Sequence, residues 1–268
     1  MKSFLVDEFA APNIMNPYKN IVSRLLATPC LACLAVPARH RGFCAACEEE
    51  LPWQPPGCER CGVALTGVWP DDLSTTRFRP PAPLCSRCLH QAPVFDQCRC
   101  TFAYEPPVSD MIRRFKDNAG FAEYRALSNC FTEHFLSFHD DHRVPLPDLL
   151  VPVPLHASRL RARGFNQALL LARRLSRQTG IPVLADSCLR QAGTPQRGLN
   201  AEDRQHNMRG VFRPLTAPAL TPGRHLAIID DVVTTTATTQ AMASVMRNYA
   251  ATRIDVWALA RSNHQTES

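Results

Sequence analysis

Eight cysteines arranged as four C-x-x-C pairs constrain this chain more than any other feature: Cys30/Cys33, Cys44/Cys47, Cys58/Cys61 and Cys85/Cys88. Only Cys130 and Cys188 of its twelve cysteines lie beyond Cys100. Random placement would give about half of one such pair, so the spacing is selected. A C-x-x-C turn aims two thiolates at one ion, and two turns complete a tetrahedral shell. Two pairings satisfy the spacing. Sequential pairing makes one site of Cys30, Cys33, Cys44 and Cys47 and another of Cys58, Cys61, Cys85 and Cys88, closing short loops at low entropy. An interleaved cross-brace is the alternative. Either predicts structural zinc, one ion or two, with no coordination position left for water. Redox chemistry would need a thioredoxin-like βαβ setting that this stretch lacks, and Cys98 and Cys100 read as buried strand residues rather than ligands.

The remaining composition fits that reading. With 268 residues, 45% hydrophobic and 20% charged, the chain is neither disordered nor fibrous. Its most apolar run, Leu25 to Val36, is short and broken by Thr28, Pro29 and two cysteines, so no membrane span is expected. Asp7, Glu8, Asn13 and Asn16 interrupt the place of a signal-peptide core. The expectation is a soluble, cytoplasmic protein with reduced thiols.

Three stretches follow. Residues 1–29 carry no motif, though Tyr18 to Ala27 suits a short helix. Residues 30–95, rich in Cys, Pro and Gly, cannot build a core alone and read as a zinc ribbon. Residues 96–268 read as an α/β domain, a parallel sheet flanked by helices. Asp96 to Glu105 alternates like a strand with Cys98, Cys100 and Phe102 on one face. Ser109-Asp110 suits the cap of a helix running to Lys116, and Phe121 to Phe138 suits a second helix. Strands are expected at Asp148 to Val153, Val183 to Leu189, Arg224 to Ile229 and Arg253 to Leu259. Helices are expected at Phe165 to Gln178, closed by Gly180, and at Thr238 to Asn248. Gln191 to Arg213 reads as a long functional loop.

Charge is uneven. Of a net +6, the segment Val151 to Arg213 carries +8, from eleven Arg, no Lys and three acids, leaving −2 elsewhere. Such an arginine field suits an anionic ligand, whether phosphate, pyrophosphate or nucleic acid, although a solvated basic face has the same composition. Only Phe165 and Phe212 lie within it, so stacking of nucleic-acid bases there has little support.

The stretch richest in chemistry is Leu226-Ala-Ile-Ile-Asp-Asp-Val-Val-Thr-Thr-Thr-Ala-Thr-Thr239. An apolar strand meets two acids, then a hydroxyl-rich turn, then a helix. Backbone N–H groups at a helix start, with threonine hydroxyls, can hold phosphate. Adjacent carboxylates repel phosphate but can accept hydrogen bonds from sugar hydroxyls or orient a metal-bound water. Together they describe a ribose 5-phosphate site. A helix with acids near its N-terminus is the structural alternative.

This stretch resembles the phosphoribosyl-pyrophosphate (PRPP) binding motif of type I phosphoribosyltransferases. The ordered set around it resembles the ComF/GntX family: the cysteine ribbon, Val151-Pro-Val-Pro154, Arg163-Gly-Phe-Asn-Gln167, Asn207 before Gly210-Val-Phe212, and Asp230-Asp-Val-Val-Thr-Thr235. The resemblance spans Cys30 to Arg261. It implies a phosphoribosyltransferase-type sheet, with Asp230 and Asp231 on the ribose 2′- and 3′-hydroxyls. Thr234, Thr235, Thr236, Ala237 and Thr238 would hold the 5-phosphate. The turn Val153-Pro154-Leu155 would bind pyrophosphate through backbone amides, with Arg161 and Arg163 neutralising its charge. Mg2+ would accompany PRPP in an active enzyme. Arg197 and Arg204 become candidate cations of a lid, and Lys116 either faces the cleft or is a solvated helix lysine.

One position departs from the family pattern: Thr236 stands where Thr-Thr-Gly-x-Thr has glycine. A β-branched residue with positive φ there stores about 1–3 kcal/mol; alternatively the loop relaxes and the hydroxyl adds a donor. Three functions remain. The resemblance implies a ComF-type protein serving DNA uptake (competence) or DNA utilisation, with DNA-processing proteins or single-stranded DNA as partners. A metabolic nucleobase or amine phosphoribosyltransferase is the second. A non-catalytic zinc-ribbon or nucleic-acid-binding module on a degenerate transferase scaffold is the third.

Overall fold

A computed structural model describes residues 28–35, 37–38, 41–65, 83–117, 120–142, 145–191, 211–215 and 223–263. The expected Tyr18–Ala27 helix and Arg197, Arg204 and Asn207 lie outside the described residues. In chain order the elements are α1 (Ala45–Glu49), α2 (Ser86–His90), β1 (Gln97–Ala103), α3 (Val108–Lys116), α4 (Phe121–His142), β2 (Leu149–Pro152), α5 (Ala157–Arg163), α6 (Gln167–Thr179), β3 (Cys188–Arg190), β4 (Phe212–Pro214), β5 (His225–Val233), α7 (Ala237–Asn248) and β6 (Arg253–Arg261).

The sheet runs β1-β6-β5-β2 with every pairing parallel. β5 and β6 read as near-continuous apolar runs because helices cover both faces. Ala227, Ile229, Trp257 and Leu259 face one core with α3, α4 and α6. Leu226, Ile228, Val256 and Ala258 face the other, under Met242, Ala243 and Met246 of α7. Leu127, Phe131 and Phe135 recur every four residues along α4, and Phe135 stacks on Trp257 with ring centroids 4.6 Å apart. No helix among the described residues is long and apolar enough to cross a membrane.

Several boundaries differ from the sequence expectation. α3 begins at Val108 with Pro107 at its N-cap, so Ser109 and Asp110 lie inside the helix. Val183 to Leu189 is not one strand: Val183 makes a single parallel bridge to Leu150, a turn intervenes, and β3 starts at Cys188 and pairs antiparallel with β4. The segment expected as loop to Arg213 therefore ends in strand. β5 continues through Asp230 and Asp231, because Asp230 and Val232 keep their register with Ala258 and Ala260.

The cysteine region docks on the open edge of β1. Gln54 donates its N–H to the Thr101 carbonyl (2.9 Å), Ala103 donates to that of Pro52 (2.7 Å), and the Trp53 ring lies 4.8 Å from Phe102. An exposed sheet edge is thereby covered. Phe43, Cys44 and Leu51 share the core of α4 and the sheet, whereas Cys58, Cys61, Cys85 and Cys88 form a separate cluster with Val63.

Candidate functional site

The thiols of Cys30, Cys33, Cys44 and Cys47 gather within 4.8 Å of one another, as do those of Cys58, Cys61, Cys85 and Cys88. The grouping is sequential, not cross-braced. A tetrahedral ion with bonds of about 2.3 Å to sulfur separates its ligands by about 3.8 Å. Cys33 and Cys44 are 3.9 Å apart and Cys61 and Cys85 3.7 Å, so both groups fit such an ion. A hydrogen bond from Cys61 holds the Cys58 thiol down to about 4 against burial, favouring the thiolate that binds metal. Burial pushes Cys88 up to about 12. Cys98 and Cys100 sit buried in β1, outside both groups.

The second centre lies where β5 passes into α7. Asp230 is buried, and its Oδ1 accepts the Asp231 N–H at 2.9 Å. Burial, and then the neighbouring Asp231 charge, raise Asp230 well above the usual carboxylate range. Lys116, at the end of α3, reaches across to Asp231 with Nζ 2.6 Å from Oδ2. The lysine therefore faces the acids rather than solvent. Two adjacent carboxyls, one of them desolvated, form a site that gains from hydroxyl donors or a cation.

Beyond the acids, Thr234 and Thr235 are exposed and Thr236 is buried. Thr236 is the N-cap of α7 at φ 65°, ψ −3°, so the left-handed conformation persists with threonine in place. Its hydroxyl accepts from Gln240 Nε2 (2.9 Å) and makes no cap bond to the helix N–H groups. Among the described residues no N-cap side chain bonds the N–H groups at the start of this twelve-residue helix, which include those of Ala237 and Thr238.

The expected pyrophosphate turn needs one correction. Val153 donates its N–H to the Ile229 carbonyl (2.9 Å), and Pro154 has none, so the turn's amide donors begin at Leu155. The Val153 carbonyl accepts from Asn166 Nδ2 (3.0 Å), which fastens the Arg163-Gly-Phe-Asn-Gln167 motif to this turn. Gly164 closes α5 at φ 81°. Arg161 is exposed, Arg163 half-buried, and neither has a carboxylate partner among the described residues.

Two features escaped the sequence reading. Arg190 on β3 is close enough to Asp230 for its guanidinium to feel that charge, although burial is the larger influence and lowers its pKa. Phe165 belongs to an aromatic cluster with Phe115 (4.6 Å), Phe121 (5.6 Å) and, through Phe115, Tyr124 (4.2 Å from it). Phe115 and Tyr124 line a small cavity together with Gln167 and Asp231. No sequence period joins these segments.

No family model matches the chain. Among curated proteins it is 33% identical over 225 residues to competence protein F of Haemophilus influenzae, covering 82% of this chain and 91% of that protein. It is 32% identical to the DNA utilization protein YhgH of Escherichia coli K12, covering 83% and 92%. Competence protein ComFC of Bacillus subtilis matches over 88 residues at 32%. Among solved structures, a purine phosphoribosyltransferase from Pyrococcus horikoshii is 14% identical with a TM-score of 0.32, covering 51% of this chain and 82% of that one. A likeness of that size decides nothing, so the architecture rests on strand order and register. The relatives, matched over four fifths of the chain, are decisive for kinship: the chain belongs to the ComF family.

Proposed function

We propose that residues 96–268 form a phosphoribosyltransferase-like domain that binds PRPP or a related ribose phosphate at the β5–α7 turn, and that the protein serves DNA uptake or DNA utilisation. The observation that carries the binding reading is the Asp230–Asp231 pair, held against Lys116 beside the uncapped start of α7. Asp230 and Asp231 accept hydrogen bonds from the ribose hydroxyls. Thr234, Thr235, Thr236, Ala237 and Thr238 surround the 5-phosphate with N–H and hydroxyl donors. Leu155 N–H, Arg161 and Arg163 face the pyrophosphate, where a guanidinium offers paired donors. Mg2+ bound with PRPP would neutralise pyrophosphate charge. These residues position the sugar and stabilise charge; none is assigned as a catalytic base.

Zinc is the proposed occupant of both cysteine groups, with a structural role, since four cysteines leave no open position. The DNA role is taken from relatives that carry the names competence protein F and DNA utilization protein. A second reading, ribose-phosphate binding without transfer, is favoured by Thr236 in the left-handed position, which strains the loop about the phosphate.

Calorimetric titration of PRPP with Mg2+ tests the proposal on the natural protein and on Asp230→Ala/Asp231→Ala. Saturable binding that the double variant loses supports it. No heat at millimolar PRPP refutes it. If binding is found, turnover with a panel of nucleobases and amines separates transfer from binding alone.

A further inference from the structure

Arg261 ends β6 and is 6% exposed. Its Nε donates to the Cys61 carbonyl (3.0 Å), and its Nη1 donates to the carbonyls of Val233 (3.2 Å), Thr234 and Ser262. No carboxylate lies within ion-pair distance of it among the described residues. Arg87, an exposed residue between Cys85 and Cys88, donates from Nη1 to the Thr235 carbonyl (3.4 Å). Three successive carbonyls entering the turn, those of Val233, Thr234 and Thr235, are thus held by two guanidiniums: Arg87 lies within the second cysteine group, and Arg261 of β6 is bonded to its Cys61 carbonyl. A further strap reinforces the same place. Asn263 Oδ1 accepts from the Ala64 N–H and from Gln54 Nε2 (both 3.1 Å), and Gln54 Nε2 also donates to the Gly62 carbonyl (2.9 Å).

The first cysteine group looks elsewhere. Cys30 and Cys44 pack in the core with Ala126 and Cys130 of α4, and Arg41 there pairs with Glu48 and Glu133. The two groups are therefore not equivalent. A buried guanidinium answered only by carbonyls is costly unless negative charge stands near it. Four thiolates around one divalent ion carry a net charge of −2, and a phosphate ester bound at the turn carries its own negative charge. Arg261 is bonded to the backbone of both places.

We propose that Arg261 and Arg87 are positioning residues that make the second cysteine group the support of the phosphate turn. Metal at Cys58, Cys61, Cys85 and Cys88 then sets the rigidity of residues 233–236 and their affinity for a phosphate ester. Metal at Cys30, Cys33, Cys44 and Cys47 does not. The ligand half of this inference rests on the ribose-phosphate reading above; the mechanical half does not.

The test uses the full zinc-loaded chain and reads three quantities: bound zinc, amide hydrogen exchange over residues 233–240, and affinity for ribose 5-phosphate. Arg261→Gln keeps its zinc but speeds exchange in the turn about tenfold, with α4 unchanged, and weakens ribose 5-phosphate about tenfold. Arg87→Ala, an exposed truncation that leaves the core intact, produces the same pattern at about threefold. Cys85→Ser releases one zinc and loosens the turn, whereas Cys33→Ser releases one zinc and leaves the turn as it was. Unchanged exchange in both arginine variants overturns the proposal, as does equal loosening by Cys33→Ser and Cys85→Ser. If the natural protein ignores ribose 5-phosphate, the phosphate reading fails by itself, and the exchange measurements still decide whether the second group supports the turn.

Discussion

Replacing Thr236 by glycine and by alanine separates backbone strain from side-chain bonding at the turn. A left-handed conformation costs an ordinary L-residue about 1–2 kcal/mol, and glycine is spared it. Thr236 occupies that conformation at φ 65°. Glycine forfeits the hydroxyl that accepts from Gln240 at 2.9 Å, worth about 1 kcal/mol. It also loses about 0.5–1 kcal/mol through the greater freedom of the unfolded chain. The opposing effects nearly cancel, so Thr236→Gly should unfold within about 1 kcal/mol of the natural protein. Thr236→Ala keeps most of the strain and loses the hydroxyl, so it should fall about 1 kcal/mol below the natural protein. Urea unfolding of the zinc-loaded chains measures both, and melting temperature should follow by about 2–4 °C per kcal/mol. The order is decisive. If alanine exceeds glycine, the turn does not hold a left-handed residue and the strain argument fails.

Three further outcomes follow from buried charge. The Asp255 carboxyl is 2% exposed, and although burial raises its pKa, hydrogen bonds from His225 Nε2 (3.0 Å) and Arg253 (3.0 and 3.1 Å) hold it below 3.8. A carboxyl held low stabilises the fold above pH 3.8 and loses that contribution as pH falls through its folded value. Asp255→Asn should therefore be less stable than the natural protein at pH 7, with the gap narrowing below about pH 4 in urea unfolding. Asp230 has the opposite sign, because burial raises it and its contribution declines as pH rises above 3.8. Asp230→Asn keeps an acceptor for the Asp231 N–H, so it should be more stable than the natural protein at pH 8 and not at pH 4, while ribose 5-phosphate affinity falls about tenfold. Burial, with Arg99 adding to it, pushes His134 down from 6.5 to about 4, so its ring protons in NMR should show no titration between pH 8 and about 5.

What could be read in advance was what lies close together in sequence. Metal-ligand spacing is a local property, so four C-x-x-C turns announced two four-sulfur groups, and the sequential grouping favoured by short loops is the one in which the thiols gather. The Asp230-Asp231 turn was legible because strand, acids, threonines and helix follow without interruption. That β5 runs on through both acids was not, since polar residues usually end an apolar strand; here pairing with Ala258 and Ala260 of β6 carries it further. Ser109 and Asp110 looked like caps, yet Pro107, with φ already near helical values, starts α3 earlier. Lys116 meeting Asp231, Arg190 near Asp230, and Arg261 reaching Cys61 join residues far apart in the chain, and no spacing rule foretells them. The Val153 amide was assigned to a ligand because the motif placed it in a turn; only the register of β2 on β5 shows that Ile229 already uses it.

The place of β6 has a consequence for how the molecule is made. It follows every other described strand in sequence, yet it lies inside the sheet, between β1 and β5. At about 5–20 residues per second, β1 leaves the ribosome roughly ten to thirty seconds before its parallel partner is complete. Through that interval the edge of β1 that pairs with β6 lacks its partner. Its opposite edge has a partner from the outset, since Pro52–Gln54 emerge first. The cysteine segment, through Pro52–Gln54, thus supplies the partner of the one edge of β1 that can be paired early, while β6, the partner of the other edge, is the last of the described strands to be made.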